Sequence, residues 1–250
     1  MKFEMTLNCD DGTKIDLLPT TALIMMDETG EEQLLDPNYR IFGLGGCCIL
    51  AGDYSANIAT PWDKLRHDLG LSDRAFHTTD MKIGKKREGR INEFFSSNRF
   101  GRFATTVSAK TNNQTDYDLV NIVYRVFQNR IIDIIRWMNF TDIVIIHEDS
   151  KRLIPKLEQI VSAKFKFMHE GKEINVHYCK ASKDLSLAGL EIADYIIHTA
   201  GSAVRDKNAG EIEKLADRPK FHNIFNSVDP KYSSFFDIGS IDHKDEVVRQ

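Results

Sequence analysis

The sequence predicts an α/β chain: a mixed five-stranded sheet flanked by helices, with an added N-terminal β-hairpin and an insertion between strands two and three of the sheet. Three observations predict it. Apolar or β-branched runs of strand length occur at 22–27, 40–50, 102–110, 141–150 and 172–180. The later runs alternate with segments of three-and-four apolar spacing, which favours parallel strands with helices packed on the sheet faces. The first three favour an antiparallel meander.

The elements follow in order. "KFEMTLNC" puts Phe3, Met5, Leu7 and Cys9 on one face, Asp11-Gly12 is a hairpin turn signal, and "TKIDLL" continues the alternation. "ALIMMDETGEE" then sets five apolar residues, Ala22 to Met26, directly before Asp27 and Glu28. After the turn at Asp36-Pro37-Asn38 comes "RIFGLGGCCIL", Arg40 to Leu50, whose glycines sit inside an apolar run. A dinucleotide fingerprint needs its glycines to open a helix; glycines inside a strand mark a bulge or a close backbone approach. Residues 55–100 are polar and irregular, with short helices expected, and "RFATTVSAK" is the third sheet strand. Over 116–138, Leu119, Ile122, Val123, Val126, Phe127, Ile131, Ile134 and Ile135 predict a long amphipathic helix. "TDIVIIHEDS" is the fourth strand, "RLIPKLEQIVSAKF" a helix with Pro155 in its first turn, and "KEINVHYCK" the fifth strand. A second strong helix runs from about Leu185 to Val204. Residues 1–205 are read as one domain, with the hairpin in 1–19 and the insertion at about 55–100; 206–250 form a polar, weakly patterned extension, flexible or partly helical.

Composition bounds the function. At 250 residues and 42% hydrophobic the chain is long enough for a packed core. No apolar run approaches the ~20 residues of a membrane span, and the start lacks the apolar core of a signal peptide, so a soluble, cytoplasmic protein is expected. Four cysteines, Cys9, Cys47, Cys48 and Cys179, contain no C-x-x-C pair, which points to neither a zinc site nor a redox motif. Cys47 and Cys48, inside an apolar run, read as small buried side chains. The net charge of −4 does not mark the whole molecule as a nucleic-acid binder. One stretch departs from this: "KIGKKREGR" carries five bases, Lys82, Lys85, Lys86, Arg87 and Arg90, against one acid. It is either a solvated loop or a loop that contacts phosphates.

The carboxylates fall into three clusters. Asp27 and Glu28 follow the first sheet strand, Glu148 and Asp149 end the fourth, and Glu191 and Asp194 share one face of the last helix at i and i+3. Leu190, Ile192, Ala193, Ile196 and Ile197 surround the helix pair, and burying acids unpaired in such a segment is costly. Mg²⁺ and Mn²⁺ take hard oxygen ligands, and a two-metal site needs several carboxylates to hold ions ~4 Å apart. The alternative is structural: acids after strands act as caps or turn residues, and Glu191 could pair with a lysine.

"MMDETG", "FGLGG", "FHTTDM", "IIHEDS" and "SKDLSLAGLEIADYI", in that order over Ala22 to Val204, resemble the uncharacterised family called domain of unknown function 3800, of the ribonuclease H-like superfamily. The resemblance implies a ribonuclease H-like sheet and a metal held by Asp27, Glu148 and Asp194, with Glu191 a turn earlier. The pattern departs from the family at Thr29, where a Ser is usual, at Glu191, where a Gln is frequent, and in the helix 116–138, which has no acid near its middle before Asp133. Glu28, or Asp80 with His77, could stand in. His77 is either a general base or a histidine packed under the insertion, and His147 is expected to be structural. Lys183 and Ser182 lie just before the last helix, where phosphate capping is favourable.

Two functions are consistent with these residues. One is a Mg²⁺- or Mn²⁺-dependent nuclease on DNA or RNA, with Asp27, Glu148, Asp194 and His77 catalytic and the basic residues holding the backbone. The other is a non-catalytic scaffold that binds nucleic acid or a protein partner; the resemblance adds mobile-element or phage-defence settings.

Overall fold

The computed structural model describes residues 5–9, 11–31, 34, 36, 40–72, 76–78, 85–108, 123–127, 129, 142–148, 167–169, 172–181, 187–229 and 232–237. The N-terminal hairpin forms as expected, β1 (Met5–Asn8) against β2 (Lys14–Leu17), antiparallel, with Gly12 at φ +82° in the turn. Leu7 and Leu17 point inward and are buried.

Six strands then make one mixed sheet: β3 (Thr21–Gly30), β4 (Ile41–Leu50), β5 (Gly101–Ser108), β6 (Asp142–Glu148), β8 (Lys172–Ala181) and β9 (Ser233–Asp237), in the order β8-β6-β3-β4-β5-β9. The short strand β7 (Phe167–His169) pairs antiparallel with the first residues of β8. β3-β4 and β4-β5 are antiparallel, while β3-β6, β6-β8 and β5-β9 are parallel. β9 corrects the expectation of five strands. It comes from the C-terminal extension, where Phe235 packs on Phe221 and Phe225 at centroid separations of 4.8 and 5.3 Å. Four phenylalanines spread over 221–236 are too sparse to give a strand or helix period.

β3 is central and is buried on both faces from Thr21 to Thr29. Leu23 and Met25 join a core cluster with Cys47, Ile49, Val144, Ile146 and the helices on that side; Ala22, Ile24 and Met26 join a second cluster with Ile143, Ile145 and the helical residues Val123, Tyr124 and Phe127. The predicted helix over 116–138 is thus represented by 123–127 and 129; the one over 152–165 lies outside the described residues.

On the first face, residues 51–68 are continuously helical: α1 (Ala51–Tyr54), a π turn (Ser55–Ala59) and α2 (Thr60–Asp68). Pro61 cannot donate and crowds the carbonyl four residues back. The π turn widens the helix just ahead of it, with Thr60 N–H reaching Ser55 O. α3 (Lys85–Ser97) closes the insertion, and α4 (Ala188–Asn208) crosses β3, β4 and β5. Gly43 and Gly45 permit that crossing: a Cβ on either would lie 3.2 or 3.0 Å from Ile197 Cδ1. The close-approach reading of the glycine run therefore holds.

Arg102 is buried between Phe95 and Phe100 (4.7–5.0 Å from their centroids) and donates to the carbonyls of Phe95, Asn98 and Ile224, tying the C-terminal segment to β5. Cys47 and Cys48 are free and buried, as expected, whereas Cys9 and Cys179 form a disulfide across 170 residues. No spacing rule reports a connection of that length. Among the described residues no helix is long and apolar enough to cross a membrane.

Candidate metal centre

Asp27 and Glu148 lie where the pairing of the parallel strands β3 and β6 ends. Their last registered pair is Met26 opposite His147, so Asp27 and Glu148 are the next residue on each strand. Strand alternation puts Asp27 and Glu148 on the side of Met25 and Ile146, facing α4, and Glu28 and His147 on the other side. β3 stops at Gly30, whose φ of +74° turns the chain out of the sheet.

α4 supplies the third wall. Glu191, Asp194 and His198 lie at i, i+3 and i+7 and share one helix face. Asp194 Oδ2 accepts hydrogen bonds from Thr78 N–H and from Thr78 Oγ1, each at 2.7 Å. Asp194 Oδ1 lies 3.1 Å from His198 Nε2, and His198 Nδ1 lies 3.3 Å from Thr29 Oγ1. The imidazole thus ties the helix to the end of β3. Neither His198 nor Thr78 was singled out in the sequence, although the helical spacing from Asp194 to His198 is legible there.

Glu191 has a different task from the metal ligand the sequence predicts. Its carboxylate accepts from Trp62 Nε1 at 2.6 Å and Phe76 N–H at 2.9 Å, and Arg66 Nη1 lies 3.5 Å away. Burial pushes its carboxyl above the ordinary range, opposed by those three donors. Glu191 and Asp194 therefore hold one strap, Phe76-His77-Thr78, along α4. Phe76 is fixed further by edge contact with Trp62 at 5.0 Å. His77, half-buried, sits between the two tethered residues.

Asp27, Glu28 and Asp194 are only 9%, 8% and 9% exposed. Burial raises the Asp27 carboxyl well above its ordinary value, and the charges of Glu28 and Asp194 raise it further, against the Glu28 N–H that donates to Asp27 Oδ1 at 2.8 Å. Burial also pushes Asp194 up, but the hydrogen bond and charge of His198 and both donors of Thr78 outweigh it, so Asp194 stays below its ordinary value. The two acids are thereby pushed apart: Asp194 keeps its charge and Asp27 resists ionising.

Ligand atoms of Asp27, Glu28 and His147 lie within 4.8 Å of one another and could hold a metal ion. His147 Nε2 is 3.2 Å from Glu28 Oε2.

Of the basic residues, Lys85, Lys86, Arg87 and Arg90 fall in α3. Arg87 and Arg90 are exposed, and Arg90 pairs with Asp68 at the end of α2. Asp80, Lys82, Asp149, Ser182 and Lys183 lie outside the described residues. No protein-family model, no curated protein and no solved structure matches the chain.

Proposed function

We propose that the chain is a metal-dependent phosphodiesterase acting on nucleic acid, with Asp27, Glu148 and Asp194 holding Mg²⁺ or Mn²⁺. The observation that carries this is the placement of three acids from β3, β6 and α4 on one side of the strand ends. The oxygen-rich donor set fits hard divalent ions, and the buried excess of negative charge calls for a cation. The strand order β8-β6-β3-β4-β5, antiparallel across β3, β4 and β5 and parallel across β3, β6 and β8, supports a ribonuclease H-like arrangement and the resemblance to domain of unknown function 3800.

A divalent ion bound there supplies positive charge for the attacking water and the leaving oxygen. The chain's residues do the rest. The reluctance of Asp27 to ionise without a cation ties its charged state to metal loading. His77, held by the tethers on either side of it, accepts the proton of the attacking water. Lys82, Lys85, Lys86, Arg87, Arg90 and Lys183 bind the phosphate backbone. Labelled single- and double-stranded DNA and RNA, incubated with Mg²⁺ or Mn²⁺, test the reading. Cleavage by the wild type and none by a folded Asp27→Asn variant is the expected result; equal cleavage by both rejects it.

A second reading, a binding scaffold without catalysis, is favoured by one observation: both oxygens of Asp194 already have protein partners. Under that reading nucleic acid is retained on the chain with any divalent ion present and none is cut.

A further inference from the structure

The bonds that hold Asp194 also decide how it can meet an ion. We propose that Thr78 is a positioning residue of the metal centre: its amide and hydroxyl together fix the Asp194 carboxylate and leave Oδ1 as the oxygen open to a metal. This rests on the function proposed above, which places Asp194 among the ligands.

Three observations support it. First, both donors of Thr78 go to one oxygen. The N–H and the hydroxyl each reach Asp194 Oδ2 at 2.7 Å, and two donors fill the two acceptor positions of that oxygen. Oδ1 lies 3.1 Å from His198 Nε2, so one acceptor position remains on it. The protein partners of Asp194 therefore do not close it to an ion; they select which of its oxygens is open.

Second, Thr78 is itself held in place by more than Asp194. Two residues earlier, the N–H of Phe76 donates to Glu191 at 2.9 Å, one turn back on α4. The buried ring of Phe76 packs edge-on against Trp62 at 5.0 Å and against Tyr195 at 6.1 Å. The strap is thus anchored at two points along one helix, and its donors stand ready before an ion arrives. This gives Glu191, which spends its carboxylate on Trp62 and Phe76, a part in the centre without being a ligand.

Third, the three acids are not delivered alike. Asp27 and Glu148 come from adjacent paired strands, and strand pairing sets their spacing. Asp194 comes from a helix that crosses the sheet, so the direction of its oxygens is set by its own partners, Thr78 and His198. Ligating carboxylates are commonly held by such outer hydrogen bonds, and losing one costs about 10- to 100-fold in metal affinity.

The test uses the full chain, stripped by chelator and titrated with Mn²⁺ by calorimetry, with melting curves in chelator as the measure of folding. Thr78→Val keeps the shape and the N–H but loses the hydroxyl donor; Thr78→Ser keeps both donors. Thr78→Val should bind Mn²⁺ about 10- to 100-fold more weakly than wild type, and Thr78→Ser should bind as wild type does. A tie that only fastens the strap would lower the melting temperature of Thr78→Val and leave its affinity unchanged. In the wild type, hydrogen exchange over residues 76–78, read by mass spectrometry, should be as slow with Mn²⁺ as without it, because the contact persists in the loaded centre. Unchanged or tighter Mn²⁺ binding by Thr78→Val overturns this inference and leaves the metal centre standing. So does an equal loss in Thr78→Ser, or faster exchange in the strap when Mn²⁺ is added. No Mn²⁺ binding by the wild type overturns both readings. The exchange measurement decides even where a variant fails to fold.

Discussion

At Asp27 the physics of burial and the chemistry of metal binding oppose each other, and the opposition can be measured. Its carboxyl is raised in the folded chain, first by burial and then by Glu28 and Asp194. A group with a raised folded pKa contributes its stability fully below the unfolded pKa of about 3.9 and loses it as pH rises through the folded value. Metal-free protein should therefore lose stability as pH climbs from the acid range toward neutrality. Asp27→Asn should remove that loss and be more stable than wild type at pH 7 in chelator. Divalent ions should reverse the order, because they bind the folded wild type and not the variant. Urea denaturation at several pH values, with chelator or Mn²⁺, measures this. A variant less stable than wild type in chelator would mean that Asp27 ionises without penalty. The position of this acid was legible in the sequence, since an apolar run ends on it, but its state was not. Glu28 and Asp194 raise it only because the sheet and α4 bring them within reach.

The helix α4 was legible as an element, and so was its acidic face, yet one of its acids took a different task. Glu191 and Asp194 share a face by helical spacing, which treats them alike. What separates them is the strap 76–78 and the helix run 51–68: Trp62, Arg66 and Phe76 reach Glu191, while Thr78 reaches Asp194. Those partners are more than a hundred residues away, so no local pattern could assign them. Glu191→Ala would leave an indole N–H and a backbone N–H buried without that acceptor and take the carboxylate from the Arg66 guanidinium, and should destabilise by roughly 3–5 kcal/mol. Glu191→Gln keeps an acceptor and should cost less than half of that. Thermal melts of both variants rank them; equal losses would mean the ion pair with Arg66 matters and the hydrogen bonds do not. The glycines of β4 were legible in kind, as close approaches, but not in partner. In Gly45→Ala the new Cβ would meet Phe103 O at 2.8 Å and Ile197 Cδ1 at 3.0 Å. A loss of about 1–3 kcal/mol is expected from that overpacking, and an unchanged melting temperature would mean α4 can lift from the sheet at no cost.

At the scale of the whole chain, two long-range ties enclose the sheet, and the sequence spacing announces neither. One brings the C-terminal segment back as β9, clamped by Arg102 and by the Arg218–Asp206 pair. The other is the disulfide from Cys9, just past the hairpin strand β1, to Cys179 in β8. A bond that closes a loop of 170 residues restricts the unfolded chain strongly, by about 5 kcal/mol on the loop-closure model. A reducing compartment would remove that contribution, leaving the hairpin held by Leu7, Leu17 and their neighbours in the core. The two states can be counted chemically. Without reduction, the native chain should resist alkylation, since Cys47 and Cys48 are free but buried. The same chain unfolded in denaturant should take up two alkyl groups, and after reduction four. Reduced, refolded protein should unfold at lower denaturant concentration and still retain the metal centre: Cys179 registers with Ile146, two residues before Glu148 on β6. Four alkyl groups on the unreduced, unfolded chain would show two thiols in place of the bond, and the hairpin would then depend on apolar packing alone.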